Sequence, residues 1–233
     1  MPIQDEPHFV PADFRGVVRL FPVPNLVLFP HVMQPLHIFE PRYREMTEDA
    51  LAGDRLIATA QFEPGWEADY DGRPALKPFG CLGKIVTHHR MPDGRFNLLL
   101  VGLSRIQLVE ELPPTRAYRE AKALLVEDCH PAGGHEAIAV LHEELIEAFR
   151  TALSGLSEAR EHLAPLLDGD VGLGPLTDIV AYTLSLPTEI KETLLEEIHV
   201  DRRARRLIKC IAELDESDQD RTRGRFPPDF SAN

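Results

Sequence analysis

Residues 17–46 read Val-Val-Arg-Leu-Phe-Pro-Val-Pro-Asn-Leu-Val-Leu-Phe-Pro-His-Val-Met-Gln-Pro-Leu-His-Ile-Phe-Glu-Pro-Arg-Tyr-Arg-Glu-Met. Prolines recur at Pro22, Pro24, Pro30, Pro35 and Pro41, with short apolar runs between them at 17–21, 26–29 and 36–39. Each proline lacks an N–H donor and clashes with the preceding helical turn, so no helix interior accepts this spacing. The residue before each proline is pushed toward extended geometry. The stretch therefore predicts short strands joined by stiff bends. Pro41 suits the first position of a helix, where its missing N–H would have no partner anyway. Tyr43, Met46 and Ala50 share one side of that helix, predicted over 41–52, and Gly53 is its terminator.

Working outward, residues 1–15 have no period and contain Pro2, Pro7 and Pro11, which predicts a flexible leader. After the helix, residues 55–61 read as a buried strand. Residues 62–78 form a long connection holding Phe62, Tyr70 and the only tryptophan, Trp66. Loops of this length are functional or disordered more often than not. Aromatics on such a loop suit partner contact; the alternative is that Trp66 folds back as a plug over the core. Residues 79–112 read as antiparallel strands. Asp93-Gly94 supplies the positive φ angles of a tight hairpin, and Gly102–Ser104 is read as a further turn. Residues 118–126 give a last strand.

Composition changes at residues 127–134, where prolines and glycines precede helical periods. Residues 135–153 place Ile138, Leu141, Leu145, Ala148, Phe149 and Ala152 on one stripe. A weaker helix is expected over 157–167 and another over 176–186. A further helix opens at Pro187 and Thr188. The last is capped by Asp201 and carries Leu207, Ile208, Ile211 and Leu214. Residues 216–233 read as a disordered tail. The domain expectation is thus a leader at 1–15, a β domain at 16–127, a helical bundle at 128–215 and the tail.

The composition is 43% hydrophobic and 27% charged, an ordinary globular balance. No apolar run is long enough for a membrane-spanning helix, and residues 1–8 lack a signal-peptide pattern; the expected location is the cytoplasm. The formal net charge of −13 opposes a broad nucleic-acid surface. The one basic cluster, Arg202-Arg203-Ala204-Arg205-Arg206, reads as a solvated helix face, though it is also the best argument for an anionic partner. Cys81, Cys129 and Cys210 are far apart and read as small apolar fillers.

No motif for an active site emerges. A phosphate-binding loop ends in Gly-Lys-Ser/Thr, which the run 169–174 does not. His135-Glu136 and His142-Glu143 lack the second histidine of a zinc-protease helix. Asp168-Gly169-Asp170 lacks the remaining calcium ligands. His88 and His89 are adjacent on a strand, so they point to opposite faces, one toward the core side. The expectation is no catalytic residue, no metal and no cofactor.

The proline-rich stretch resembles the start of the Lon N-terminal domain, the substrate-recognition domain of ATP-dependent Lon proteases. Leu20, Pro22, Val27, Leu28, Phe29, Pro30, Met33, Pro35, Leu36, Ile38, Phe39, Glu40, Arg42, Tyr43 and Met46 carry the likeness. Gly80, Gly83, Ile85, Pro92, Asp93, Gly94, Leu98, Leu100, Gly102, Arg105 and Ile106 extend it. Asp178, Ile179, Leu186, Lys191, Leu194, Leu195, Glu196, Asp201, Arg203, Leu207 and Ile211 carry it into the helical part. The resemblance implies an α+β fold: a PUA-like β pseudobarrel with one short helix, then a helical bundle. The ATPase and Ser–Lys protease modules of full Lon proteases have no counterpart here, so the resemblance implies a protein or peptide binder and no enzyme. Its expected partners are unfolded or tagged protein segments, or a protease or ATPase machine, in protein quality control or as an adaptor. The expected contact residues are Val32, Met33, Phe62, Trp66 and Tyr70. Residues Phe29 and Leu36 are assigned to the core, while Val32 and Met33 could serve either role. PUA-like folds include RNA readers, so an RNA-binding protein is the alternative.

Overall fold

Six strands and one helix come first in the computed structural model, which describes residues 14–131, 134–153, 171–217 and 231–232. The strands are β1 (Val17–Pro22), β2 (Met33–Ile38), β3 (Leu56–Phe62), β4 (Leu76–Arg90), β5 (Phe96–Glu111) and β6 (Arg119–Val126), and α1 (Pro41–Ala52) lies between β2 and β3. Strand β1 runs parallel to β3 and antiparallel to β6; β3 pairs with β4, β4 with β5, and β5 with β6. These pairings return to their start, so β1, β3, β4, β5 and β6 close on one another. Closure removes the exposed edges that an open sheet must protect.

The interior explains the sequence. Val18, Leu20, Leu56, Ala58, Leu82, Ile106, Ala121 and Ala123 pack into one buried cluster, drawn from all five closed strands. A ring of so few strands has a narrow interior that side chains must fill without excess. Three alanines beside the larger residues meet that limit. Strand β3 is buried along its whole length, as its near-continuous apolar run requires. Outside the ring, Tyr43 of α1 meets Phe21 edge-on, with centroids 4.8 Å apart.

The prolines act as expected, but Gly102 does not. Residues 102–104 are not a turn: β5 runs unbroken from Phe96 to Glu111, with its register to β4 shifting between Leu82 and Gly83. Gly102 N–H donates to the Val32 carbonyl at 2.9 Å, and His31 N–H donates to the Gly102 carbonyl at 2.9 Å. A methyl group at Gly102 would run into the Phe29 carbonyl oxygen. Glycine inside a strand here marks a close backbone approach, which seats the bend at residues 29–32 against β5. At the hairpin, Gly94 takes φ +84°, as its turn demands.

Residues from Asp128 form a second compact unit. Its helices are α2 (Gly134–Ala152), α3 (Leu173–Thr183), α4 (Thr188–Glu196) and α5 (Val200–Ser217). Leu141, Leu145 and Phe149 are the buried row of α2, and Val200, Ala204, Leu207 and Ile211 that of α5. Helix α3 begins three residues before the expected 176, because Pro175 is accommodated in the first turn. Asp201 is not the cap of α5; it lies in the first turn, and the Glu197 carboxylate accepts the His199 N–H at 3.0 Å. The helix expected over 157–167 lies outside the described residues. The tail expectation from 216 meets two differences: α5 continues to Ser217, and β7 (Ser231–Ala232) pairs in parallel with β2.

The arginine cluster is corrected most. Arg203 is fully buried. Its Nη1 and Nη2 donate to the two Asp128 carboxylate oxygens at 2.9 and 2.6 Å, and its Nε donates to Thr177 Oγ1 at 2.8 Å. The Glu197 carbonyl accepts from Nη1 at 2.9 Å, and Asp178, itself fully buried, lies 3.5 Å from Nε. A buried guanidinium is tolerable only with partners of this number and geometry.

Two predictions follow from the packing. Gly102→Ala should cost about 3 kcal/mol through the clash with backbone that cannot move aside, read as an earlier urea midpoint of Trp66 emission. Asp128→Ala should cost the helical unit about 3 kcal/mol by leaving a buried arginine under-paired, whereas Arg205→Ala on the exposed side should change stability by less than about 0.5 kcal/mol. Helical circular dichroism reports the second pair, while Trp66 monitors the β unit independently.

Candidate functional site

Strand alternation sorts the residues of β2. Gln34, Leu36 and Ile38 are buried, while Met33 is exposed and Pro35 and His37 are half-buried. The register sets Met33 opposite Val101, Pro35 opposite Leu99 and His37 opposite Asn97 on β5. Paired residues of an antiparallel ladder share a face, so these six form one outward ribbon. Four of them are apolar. Met33 is 60% exposed, and Phe39, just past the strand, is 39% exposed and stacks on His37 at 6.1 Å. His37 Nδ1 and Asn97 Oδ1 lie 2.6 Å apart, which closes the far end of the ribbon with a polar pair.

The long loop after β3 is ordered by aromatic stacking. Trp66 opens a short 3₁₀ turn, Trp66–Asp69. Its ring stacks on Phe62 at 5.2 Å, and Tyr70 meets both rings at 6.1 and 5.6 Å. The Tyr70 hydroxyl donates to Glu40 Oε1 at 2.7 Å, and Arg42 Nε donates to Glu40 Oε2 at 3.0 Å. The Arg42 guanidinium also covers the Tyr70 and Tyr43 rings at 4.8 and 4.7 Å. Burial and then the Glu40 hydrogen bond push the Tyr70 phenol above its ordinary pKa. Burial works against the Arg42 charge, but Tyr43, Glu40 and Tyr70 together hold its pKa above the ordinary value. At the other end of the loop, Arg119 pairs with Glu111 and donates to the Pro74 carbonyl at 2.8 Å. Arg73 donates to Glu111 at 2.8 Å. The loop is thus held at both ends by buried or half-buried ion pairs.

The expected contact residues separate accordingly. Val32 is 5% exposed and Phe62 is 6% exposed, so both belong to the core and cannot form a surface. Met33 is exposed on the outward ribbon. Trp66 and Tyr70 are half-buried: the rings lean on Phe62 and still reach the surface, so plug and surface are both partly right. Sequence reasoning missed Glu40 and Arg42 as the anchor of the loop, because a short-range acid–base pair at a helix start looks like ordinary capping. His88 and His89 are both exposed rather than divided between core and water; they lie beyond Lys84, where β4 has left its pairing with β3 and is laddered to β5 alone. Cys129 is exposed and so is not the apolar filler expected, while Cys81 is buried. With Arg203 in the core, the basic cluster keeps Arg202, Arg205 and Arg206 at the surface, which weakens the only support for an RNA surface. Among the described residues, no group of three or more His, Cys, Asp or Glu could hold a metal ion, and no helix is long and apolar enough to cross a membrane.

A closed β unit carrying an apolar outward ribbon, joined in sequence to a helical unit, defines an α+β protein. The chain belongs to the family of the ATP-dependent protease La (LON) substrate-binding domain, which matches residues 17–213. It is 26% identical over 220 residues to a Lon protease of Roseiflexus castenholzii, covering 91% of this chain and 25% of the relative. It is 28% identical over 197 residues to Lon protease 2 of Herpetosiphon aurantiacus, covering 83% and 23%. The chain therefore spans about a quarter of the length of these relatives. Among solved structures, the N-terminal domain of Mycobacterium avium complex Lon protease gives a TM-score of 0.68 at 20% identity, covering 84% of this chain and 98% of that one. A Lon N-terminal domain protein from Xanthomonas campestris gives 0.55 at 20% identity, covering 83% and 97%. The α+β fold expected from the sequence is the fold of these domains.

Tyr70→Phe removes one charged hydrogen bond and should cost about 1.5 kcal/mol. Because Tyr70 stacks on Trp66, the variant should also shift Trp66 emission to the red and speed proteolytic cleavage within residues 63–75.

Proposed function

We propose that this chain is a non-enzymatic protein-binding module, which holds exposed apolar segments of unfolded or tagged proteins, either in quality control or as an adaptor to a proteolytic machine. Membership in a family of substrate-binding domains supports the reading. The observation that carries it is the outward ribbon of β2 and β5, with Met33 at 60% exposure beside Val101, Pro35 and Leu99. The backbone of a laddered sheet is already ordered and has little freedom left to lose when its outer residues are covered, so more of the contact energy appears as affinity. The half-buried Trp66 and Tyr70 supply aromatic surface of the kind that anchors protein contacts. The chemistry of such a module is holding, without bond breaking.

Met33→Ala with Trp66→Ala should weaken capture of reduced, carboxymethylated α-lactalbumin, a permanently unfolded probe, by about tenfold, since truncated anchor residues cost about 1–2 kcal/mol in a contact. Fluorescence anisotropy of the labelled probe measures this, and circular dichroism checks that the variant is folded. A folded variant with unchanged capture would refute the assignment.

A further inference from the structure

Strands β1 and β6 carry a second surface, which shares no residue with the ribbon of β2 and β5. Val17 of β1 stands opposite Lys122 of β6, and Arg19 opposite Glu120. Paired residues of an antiparallel ladder share a face. On this face Val17 is exposed, while Arg19 and Glu120 are half-buried. Where α1 ends at Gly53, a recess of about 450 Å³ opens over the two strands, and its lining includes Arg15, Val17, Arg19, Gly53, Asp54 and Glu120.

The charges in this recess do not cancel in the way their register suggests. Arg19 turns away from Glu120 and donates Nη1 to Asp54 Oδ1 at 2.6 Å and to the Leu56 carbonyl at 3.3 Å. Asp54 Oδ1 also accepts the Leu56 N–H at 2.9 Å. Nearby, Asp49 accepts from the Tyr118 hydroxyl at 2.8 Å and lies 3.4 Å from Arg116. The Glu120 carboxylate is the exception: among the described residues it has neither an ion pair nor a hydrogen bond. The end of α1 adds to its field. The last turn of that helix holds no basic residue, and a helix C-terminus carries partial negative charge. With Arg19 spent on Asp54, the floor of the recess is negative. Arg15 is exposed at its mouth, where water and salt screen it most.

We propose that this recess is a binding site for an ammonium or guanidinium group carried by a peptide, with Glu120 as the anion it meets. A cation placed there pairs with a carboxylate that is already partly desolvated, so it recovers a charge-assisted hydrogen bond that the fold leaves unmade. The Arg19–Asp54 pair is a positioning element, since it keeps the guanidinium of Arg19 off Glu120. Arg15 at the mouth opposes a dense polycation and suits a single positive group on an otherwise neutral chain. The net charge of −13 draws such groups toward the protein. A basic side chain and a free peptide N-terminus both carry this chemistry. The site stands whether or not the ribbon of β2 and β5 captures unfolded proteins.

The test titrates the full chain, labelled with ¹⁵N, with three short peptides and follows the amide signals of Val17, Arg19 and Gly53. Acetyl-Ala-Arg-Ala-amide carries only a guanidinium, Ala-Ala-Ala-amide only an N-terminal ammonium, and acetyl-Ala-Gln-Ala-amide no charge. A charged peptide should shift these signals and the neutral one should not. A shift by the first peptide alone assigns a basic side chain as the guest, and by the second alone a peptide N-terminus. Glu120→Gln should weaken the charged peptide about fivefold, the size of one partly exposed charged contact. Glu67→Gln, the same change of net charge at an exposed position on the loop after β3, should leave binding as it was. No shift with either charged peptide, or an equal shift with the neutral one, would overturn the proposal, and the parent chain alone decides this. Equal weakening by both variants would assign the binding to diffuse attraction and overturn it, as would a folded Glu120→Gln chain that binds like the parent.

Discussion

The architecture of the β unit turns on two backbone hydrogen bonds at one glycine. Gly102 donates to Val32 and accepts from His31, both at 2.9 Å. This clasp fixes the bend at residues 29–32, and the bend decides the phase of everything after it. Strand side chains alternate, so a slip of one residue would reverse every face of β2. With the clasp in place, Val32, Gln34, Leu36 and Ile38 go inward and Met33 goes outward. His31 adopts φ +65° to make the turn, a conformation costly for a residue with a side chain. The two hydrogen bonds and the burial of Phe29 and Val32 offset that cost. The outward position of Met33 is thus a consequence of packing at Gly102, several ångströms of backbone away, rather than a local preference of methionine.

The helical unit has its own constraint, of a different physical kind. Arg203 sits where an apolar side chain would be expected to stabilise more simply, since well-packed hydrophobes often replace buried ion pairs without loss. What the arginine adds is directionality. Its five donors reach Asp128 at the start of the unit, Thr177 on α3 and the Glu197 carbonyl before α5. Apolar contacts tolerate rotation and sliding; a guanidinium fork does not. One residue thereby sets the register of α5 against α3 and pins the chain segment that enters the unit.

Much of the fold could be read from residues in order, and the reasons for the remainder are specific. Proline spacing excluded helix through residue 40 and placed α1 at Pro41 correctly, because steric exclusion acts locally. Closure of β1, β3, β4, β5 and β6 was beyond periodicity, which shows that strands exist but not which pair. Gly102 looked like a turn because glycine beside Leu103-Ser104 signals flexibility in sequence; in three dimensions it marks crowding. Arg203 was hidden among Arg202, Arg205 and Arg206, yet the pattern held a clue. The buried row of α5 runs Val200, Ala204, Leu207, Ile211, and Arg203 stands three after Val200 and four before Leu207. The apolar stripe passes through it, so one charge of the cluster had to be internal. Likewise, assigning Leu36 to the core commits Gln34 and Val32 to the same side, and strand alternation alone then puts Met33 outside. Phe62 was misjudged for another reason: it is the last residue of β3, and the rings of Trp66 and Tyr70, which pack on it, come from the loop that follows.

Rigidity joins these features to the proposed mode of action. Binding a disordered segment costs conformational freedom on the guest side whatever the host does. A host that also had to order itself would bear that cost twice. Here the ribbon is preformed: β2 is laddered to β5 along its full length, and the prolines that flank and interrupt it restrict the bends at either end. A guest then meets a surface that is already in place, and only its own ordering opposes the contact.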